Sequence, residues 1–174
     1  MDKKDFTIIY LFLALEGKVT VREHNLFSEI MRHEGFDDAD IKEIGRNTMS
    51  IISGAYSEEN REALIRHQFE KYSSDISKGN SIHNRTVLWT LINLGFSDAS
   101  YTKAEQRLVH LYAKNMRLDK SYVLEMEDTA KALLAIINER NSLKKSLAAN
   151  HILKELDANE KVLKENISIL ILLG

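Results

Sequence analysis

Two short segments of the sequence each carry a pair of carboxylates seven residues apart. Glu16 and Glu23 enclose the segment EGKVTVRE, and Asp98 and Glu105 enclose DASYTKAE. In both segments a threonine precedes the second carboxylate by three residues, which is the pattern of a capping box. There the Thr and Glu side chains accept free backbone N–H groups at a helix start. Each segment is therefore predicted to join the end of one helix to the start of the next.

The four carboxylates could hold a metal ion if the fold brings the two segments together. Clustered carboxylates need a proton or a cation to relieve their repulsion, and Ca²⁺, Mg²⁺ and Mn²⁺ accept shells made of oxygen ligands. We favour a structural role, since Glu23 and Glu105 would act as caps and Glu16 and Asp98 could face the positive end of the following helix. A divalent cation bound by these four residues is the second interpretation.

No other group of residues predicts catalysis. The chain has no cysteine, which excludes thiolate chemistry and cysteine-bound metals. Its six histidines form neither an HExxH motif nor a Glu-x-x-His pair. The run from Asp37 to Asp40 lacks the glycine and the distal glutamate of a calcium loop. We therefore predict a protein that is not an enzyme and has no catalytic residue.

The composition predicts an all-α globular protein. Of 174 residues, 44% are hydrophobic and 29% charged, and none is proline, the residue that helix interiors reject most strongly. A net charge of −2 provides no attraction toward nucleic acid. The lack of cysteine fits a cytoplasmic location. No apolar run approaches the ~20 residues of a membrane-spanning helix, and the charged and apolar start of the chain is interpreted as a buried first helix.

Apolar spacing and caps predict seven helices ahead of a C-terminal tail. They begin near residues 4, 20, 38, 57, 81, 102 and 119. The fourth of these helices is predicted to carry an apolar stripe of Ile65, Phe69, Tyr72 and Ile76. A shift of 82 residues places Thr20 on Thr102 and Asp37 on Asp119, and apolar positions stay in register. We therefore expect a duplicated three-helix unit, with repeats at about 6–52 and 88–137 linked by a helix at 57–78.

The two acidic segments resemble the acidic-Gly-x-hydrophobic-Ser/Thr-x-x-Glu signature of the TerB-like, tellurite-resistance family, which also occurs in some membrane-anchored DnaJ-type co-chaperones. The resemblance covers about 6–134. Glu16 stands where the family usually has Asp, and Ala99 replaces the glycine of the second segment. The resemblance implies a compact helical bundle at 1–140, a role in stress or toxic-anion resistance, metal-binding acidic residues and a protein partner. The sequence leaves open whether the protein joins a membrane-associated complex.

The tail, 141–174, is predicted to form a helical arm. Its apolar residues recur at spacings of three and four, interrupted by Glu160, as in a coiled-coil seam. The candidate partner-binding residues of this seam are Leu153, Leu156, Leu163, Ile167 and Leu170. The arm could fold back on its own chain, form a homodimer or dock on another protein, which makes a structural or assembly protein the alternative function. A new helix start at 157–160 would instead produce a hairpin.

Overall fold

The computed structural model describes residues 1–55, 57–75, 81–97, 101–143 and 150–173. Within these ranges the chain contains eight α-helices, one 3₁₀ turn and no strand, which confirms the all-α prediction of seven or more helices. The elements are α1 (Lys3–Leu13), the 3₁₀ turn (Ala14–Glu16), α2 (Val21–His33), α3 (Asp38–Ile52), α4 (Glu58–Asp75), α5 (Ser81–Gly95), α6 (Lys103–Asn115), α7 (Lys120–Leu143) and α8 (Asn150–Leu173).

The chain divides into two compact units, Met1–Leu118 and Asp119–Gly174. The sequence analysis placed the start of the C-terminal arm at residue 141, within what is one long helix in the structure. The division falls earlier because α7 packs against α8 and so belongs to the second unit. Each unit is therefore described by itself.

Helix α1 is the centre of the first unit. From Ile8 onward its residues are apolar on every side, so this part of the helix is stable only where neighbours cover it completely. Contacts with α2, α3, α4 and α5 provide that cover, and every residue from Ile8 to Leu15 is buried. Phe6 packs edge-on against Phe27 and Phe36, with ring centroids 5.8 and 5.2 Å apart. The first unit is therefore organised around one buried helix.

Helix α4 closes the first unit by packing on α6 as well as on α1. The predicted apolar stripe is confirmed at Ile65 and Phe69, which are fully buried, while Tyr72 is half-buried. Its fourth predicted member, Ile76, lies outside the described residues. Ser57 begins the helix, since its hydroxyl accepts the Asn60 N–H at 3.1 Å.

The second unit is an antiparallel pair of helices. Near the C-terminal end of α7, Arg140 contacts Asp157 of α8, and Leu163 lies farther along α8 beside Leu124, nearer the start of α7. Helix α8 runs without a break through 157–160, so the structure has no new helix start there.

Helices α2 and α6, which are in register by 82 residues, begin and end with the same local geometry. Thr20 and Thr102 cap α2 and α6, which both contain thirteen residues, and both predicted capping boxes are confirmed. At the far end of each helix, three backbone hydrogen bonds recur: from residues 34, 35 and 36 to 30, 32 and 31, and from 116, 117 and 118 to 112, 114 and 113. Gly35 and Arg117 both have a positive φ, 90° and 58°.

We expect these two turns to respond oppositely to substitution. Gly35→Ala should lower the free energy of unfolding by about 1 kcal/mol, because a left-handed backbone strains any residue with a Cβ. Steric contact cannot contribute, since a Cβ at Gly35 would meet no atom within 4 Å. Arg117→Gly should raise the same quantity by about 0.5 kcal/mol, the relief of strain being partly offset by the flexibility of glycine in the unfolded chain.

Urea denaturation followed by circular dichroism measures both changes. Gly54→Ala is the matched control, because Gly54 has equally open surroundings but no positive φ. Equal effects of Gly35→Ala and Gly54→Ala would contradict the role assigned to the left-handed turn.

Candidate functional site

The first acidic segment forms a tight corner between the 3₁₀ turn and α2. Glu16 is exposed at the end of the turn, and Gly17 follows with a φ of 90°. Arg61 of α4 lies against this glycine, and its Nη1 donates to the Leu15 carbonyl oxygen at 3.4 Å. An ideal Cβ at Gly17 would come within 2.4 Å of that nitrogen, but the flexible Arg61 side chain can move aside, so the corner requires glycine for its backbone angle.

Glu23 and Glu105 occupy equivalent positions in their capping boxes. In each case the glutamate Oε2 accepts the threonine backbone N–H at 2.6 Å, and the threonine hydroxyl accepts the glutamate N–H at 3.2 Å. Both glutamates are half-buried. The structural role predicted for these two carboxylates is therefore confirmed.

Helix α4 contacts the corner after Glu16 and helix α6 through two successive residues. Arg61 reaches the corner after Glu16, and the carboxylate of Glu62 accepts two hydrogen bonds from Arg107 of α6, both of 2.8 Å. Arg107 lies two residues after Glu105 and is exposed, so its ion pair with Glu62 contributes orientation more than stability.

The metal interpretation stays a prediction. Asp98, one of its four candidate ligands, lies outside the described residues. Among the residues that the structure does describe, no three His, Asp or Glu side chains are grouped closely enough to hold a metal ion. Glu16, Glu23 and Glu105 are described, and the geometry of Glu23 and Glu105 is that of helix caps.

A buried polar group at the start of α1 was missed by the sequence analysis. Asp5 is 1% exposed, and its Oδ1 lies 3.1 Å from Nε2 of His83 on α5. Its Oδ2 accepts the Asp2 backbone N–H at 2.6 Å, within a capping box that the Asp-x-x-Asp spacing could have predicted. Burial raises the pKa of Asp5, while the Asp2 N–H and His83 act in the opposite direction.

Two further buried side chains belong to this region. Tyr112 of α6 is fully buried, and burial raises the pKa of its hydroxyl, with a smaller effect of the same sign from the charge of Asp5. Within the described residues, neither the Tyr112 hydroxyl nor Oδ1 of Asn84 has a hydrogen-bond partner. Buried polar atoms are normally paired, so this is a polar region held inside an apolar core.

The predicted partner-binding seam of α8 faces α7. Leu156 and Ile167 are buried, and Leu153, Leu163 and Leu170 are half-buried. Glu160, the charged interruption, is bound by Arg140 of α7 and by Lys164, whose Nζ lies 2.6 Å from its Oε1. These bonds, with Lys164 contributing most, lower the pKa of Glu160. The structure therefore uses the seam within the second unit.

Comparison with known proteins finds no matching family model, no matching curated protein and no matching solved structure. In the part of the chain that is described, no helix has the length and apolarity needed to cross a membrane. The functional argument therefore depends on the chain's own residues.

The pair formed by buried Asp5 and half-buried His83 should make stability depend on pH. Because the pKa of Asp5 is raised in the folded protein, its contribution to stability is present below the ordinary value near 4 and is lost as the pH rises through the folded value. Asp5→Asn should therefore gain stability relative to the wild type as the pH increases from about 4, since the amide keeps the hydrogen bonds without a buried charge.

A double-mutant cycle with His83→Ala tests the pair itself. At pH 7, His83→Ala should cost about 1–3 kcal/mol in the wild type, because it removes a partner of a buried carboxylate. In the Asp5→Asn background the cost should be clearly smaller. Urea unfolding gives all four values, and an unchanged cost in that background would show that the imidazole acts only through packing.

Proposed function

We propose that this chain is a non-enzymatic, TerB-like helical module that binds a protein partner in a bacterial stress or toxic-anion response in the cytoplasm. The observation that carries the proposal is that α2 and α6 begin with the same capping box and end in the same turn. Both copies have the same capping-box distances at one end and the same hydrogen-bond pattern at the other. Binding fits the described residues better than catalysis, because they present helix ends and surfaces rather than a nucleophile beside a base.

The same observation supports an internal duplication of a three-helix unit. Caps at Thr20 and Asp37 correspond to caps at Thr102 and Asp119, each 82 residues later. The left-handed residue repeats although its type changes from Gly35 to Arg117. Conserving a backbone turn after the residue type has diverged is what descent from one ancestral unit would produce, since arginine by itself does not favour that conformation.

The proposal includes a divalent cation, Ca²⁺, Mg²⁺ or Mn²⁺, held by Glu16, Glu23, Asp98 and Glu105. The cap of Glu23 uses Oε2 only, and no further hydrogen bond of this carboxylate is found in the described part of the chain. Glu16 is exposed and has no ion pair there. A hard cation could use such oxygens without disrupting the helix starts.

A structural or assembly role is the second candidate, with docking through the second unit. Within the described ranges, ten large apolar side chains are exposed, and seven of them lie on α7 and α8. They are Leu124, Ile137, Ile152, Val162, Ile169, Leu172 and Leu173. Because the predicted seam faces α7, such docking would use the outward sides of these helices rather than the seam leucines.

Loss of the gene should make its host more sensitive to tellurite. We expect growth on potassium tellurite to fail at a lower concentration in the deletion strain, and a plasmid copy of the wild-type gene to restore it. Growth curves without tellurite serve as the control for a general defect. Unaltered growth of the deletion strain across tellurite and oxidative stress would contradict the proposed role.

Millimolar Ca²⁺, Mg²⁺ or Mn²⁺ should raise the melting temperature, because an ion that binds only the folded state stabilises it, by about 2.7 kcal/mol at a hundredfold excess over Kd. The double variant Glu23→Gln/Glu105→Gln should lose this shift, since glutamine keeps a capping box but removes the charge. Glu29→Gln, on the exposed side of α2, is the matched control. An equal shift in all three proteins would exclude the two capping glutamates as ligands.

A further inference from the structure

The second unit contains a groove between its two helices, which we call the acidic groove. Its volume is about 480 Å³. Helix α7 contributes most of the lining and α8 contributes one leucine. The lining residues are Ser121, Leu124, Glu125, Asp128, Thr129, Ala132 and Leu163.

The floor of the acidic groove is apolar and incompletely covered. Leu124 is 46% exposed, and Leu163 is only half-buried although its neighbours in the seam pack against α7. Ala132 has a short side chain, which lets another backbone approach closely. The α7 residues of the groove run from 121 to 132, or about 16 Å at ~1.5 Å per residue. That length matches three turns of a bound helix.

The edge of the acidic groove has negative charge without a counterion. Glu125 and Asp128 are one turn apart on α7 and exposed, and neither makes an ion pair among the described residues. Lys131, the nearest cation along α7, pairs with neither of them. The charges around Arg140 are different, because Arg140 and Lys164 together neutralise Asp157 and Glu160 there.

We propose that the acidic groove binds an amphipathic helix of a partner protein, with Leu- or Ile-type side chains on one face and Lys or Arg beside them. The apolar side chains would cover Leu124 and Leu163, and the basic ones would pair with Glu125 and Asp128. Helix-in-groove recognition combines these two terms, apolar anchors for affinity and charge for orientation. This names the partner chemistry of the binding function proposed above and rests on that function.

Two designed peptides of about 18 residues, or five turns, test the proposal against the full chain. One carries a leucine stripe flanked by lysines, and the other has glutamate at every lysine position. Isothermal titration calorimetry should show the lysine peptide binding at least tenfold more tightly. The charge reversal Glu125→Lys/Asp128→Lys should invert this preference, and Leu124→Ser should weaken binding of both peptides.

Matched controls separate the groove from net charge and from folding. Glu29→Lys/Glu139→Lys makes the same change in net charge at exposed positions outside the groove and should leave the preference for the lysine peptide intact. The milder Glu125→Gln/Asp128→Asn variant should remove the preference without inverting it. Circular dichroism confirms that each variant is folded before it is titrated.

Several outcomes would overturn the proposal that the acidic groove binds a basic amphipathic helix. One is equal binding of the two peptides, and another is a preference for the lysine peptide that survives the charge reversal. A third is a homodimer in analytical ultracentrifugation that the charge reversal dissociates, because a second copy of the chain would then occupy the groove. In these cases a tellurite-sensitive deletion strain would still support the proposed role in resistance. A preference that inverts on reversal, together with unaltered growth on tellurite, would support the groove and reject the resistance role.

Discussion

The first unit depends on the burial of α1 from Ile8 to the end of the helix. A helix that is apolar on every side cannot lie at a surface, so α2, α3, α4 and α5 must surround it. Burial on this scale also encloses Asp5, which caps the helix and cannot reach solvent. The imidazole of His83 accompanies that carboxylate, which ties the start of α5 to the start of α1. One hydrophobic constraint thus determines both the packing and the polar interior.

Helix ends, rather than helix centres, determine how the outer elements of this unit connect. Four backbone N–H groups at each helix start lack partners, and the same threonine–glutamate arrangement satisfies part of that demand at α2 and at α6. A glutamate engaged in a cap has a fixed position, which is useful for a ligand but also sufficient as a purely structural role. This is why capping geometry by itself does not establish a metal site.

Features determined by neighbours in the sequence could be predicted, and those that depend on distant contacts could not. The caps at Thr20 and Thr102 and the burial of Ile65 and Phe69 follow from local spacing, and the structure confirms them. The Asp5–His83 pair joins residues 78 positions apart, and no periodicity signals it. The pairing of α7 with α8 likewise depends on which apolar faces meet, because spacing reveals a face but not its partner.

The second unit shows how a charged residue can be accommodated in an apolar seam. Glu160 would oppose packing if it were buried alone, but Arg140 approaches it from α7 and Lys164 from the next turn of α8. With its charge compensated, the seam can stay against α7, and half-buried Leu163 is the one seam leucine among the described residues that line the acidic groove. Glu125 and Asp128, which make no ion pair with any other described residue, lie beside exposed Leu124. The proposed helix-in-groove recognition accordingly assigns to this surface a ligand that brings both apolar area and positive charge.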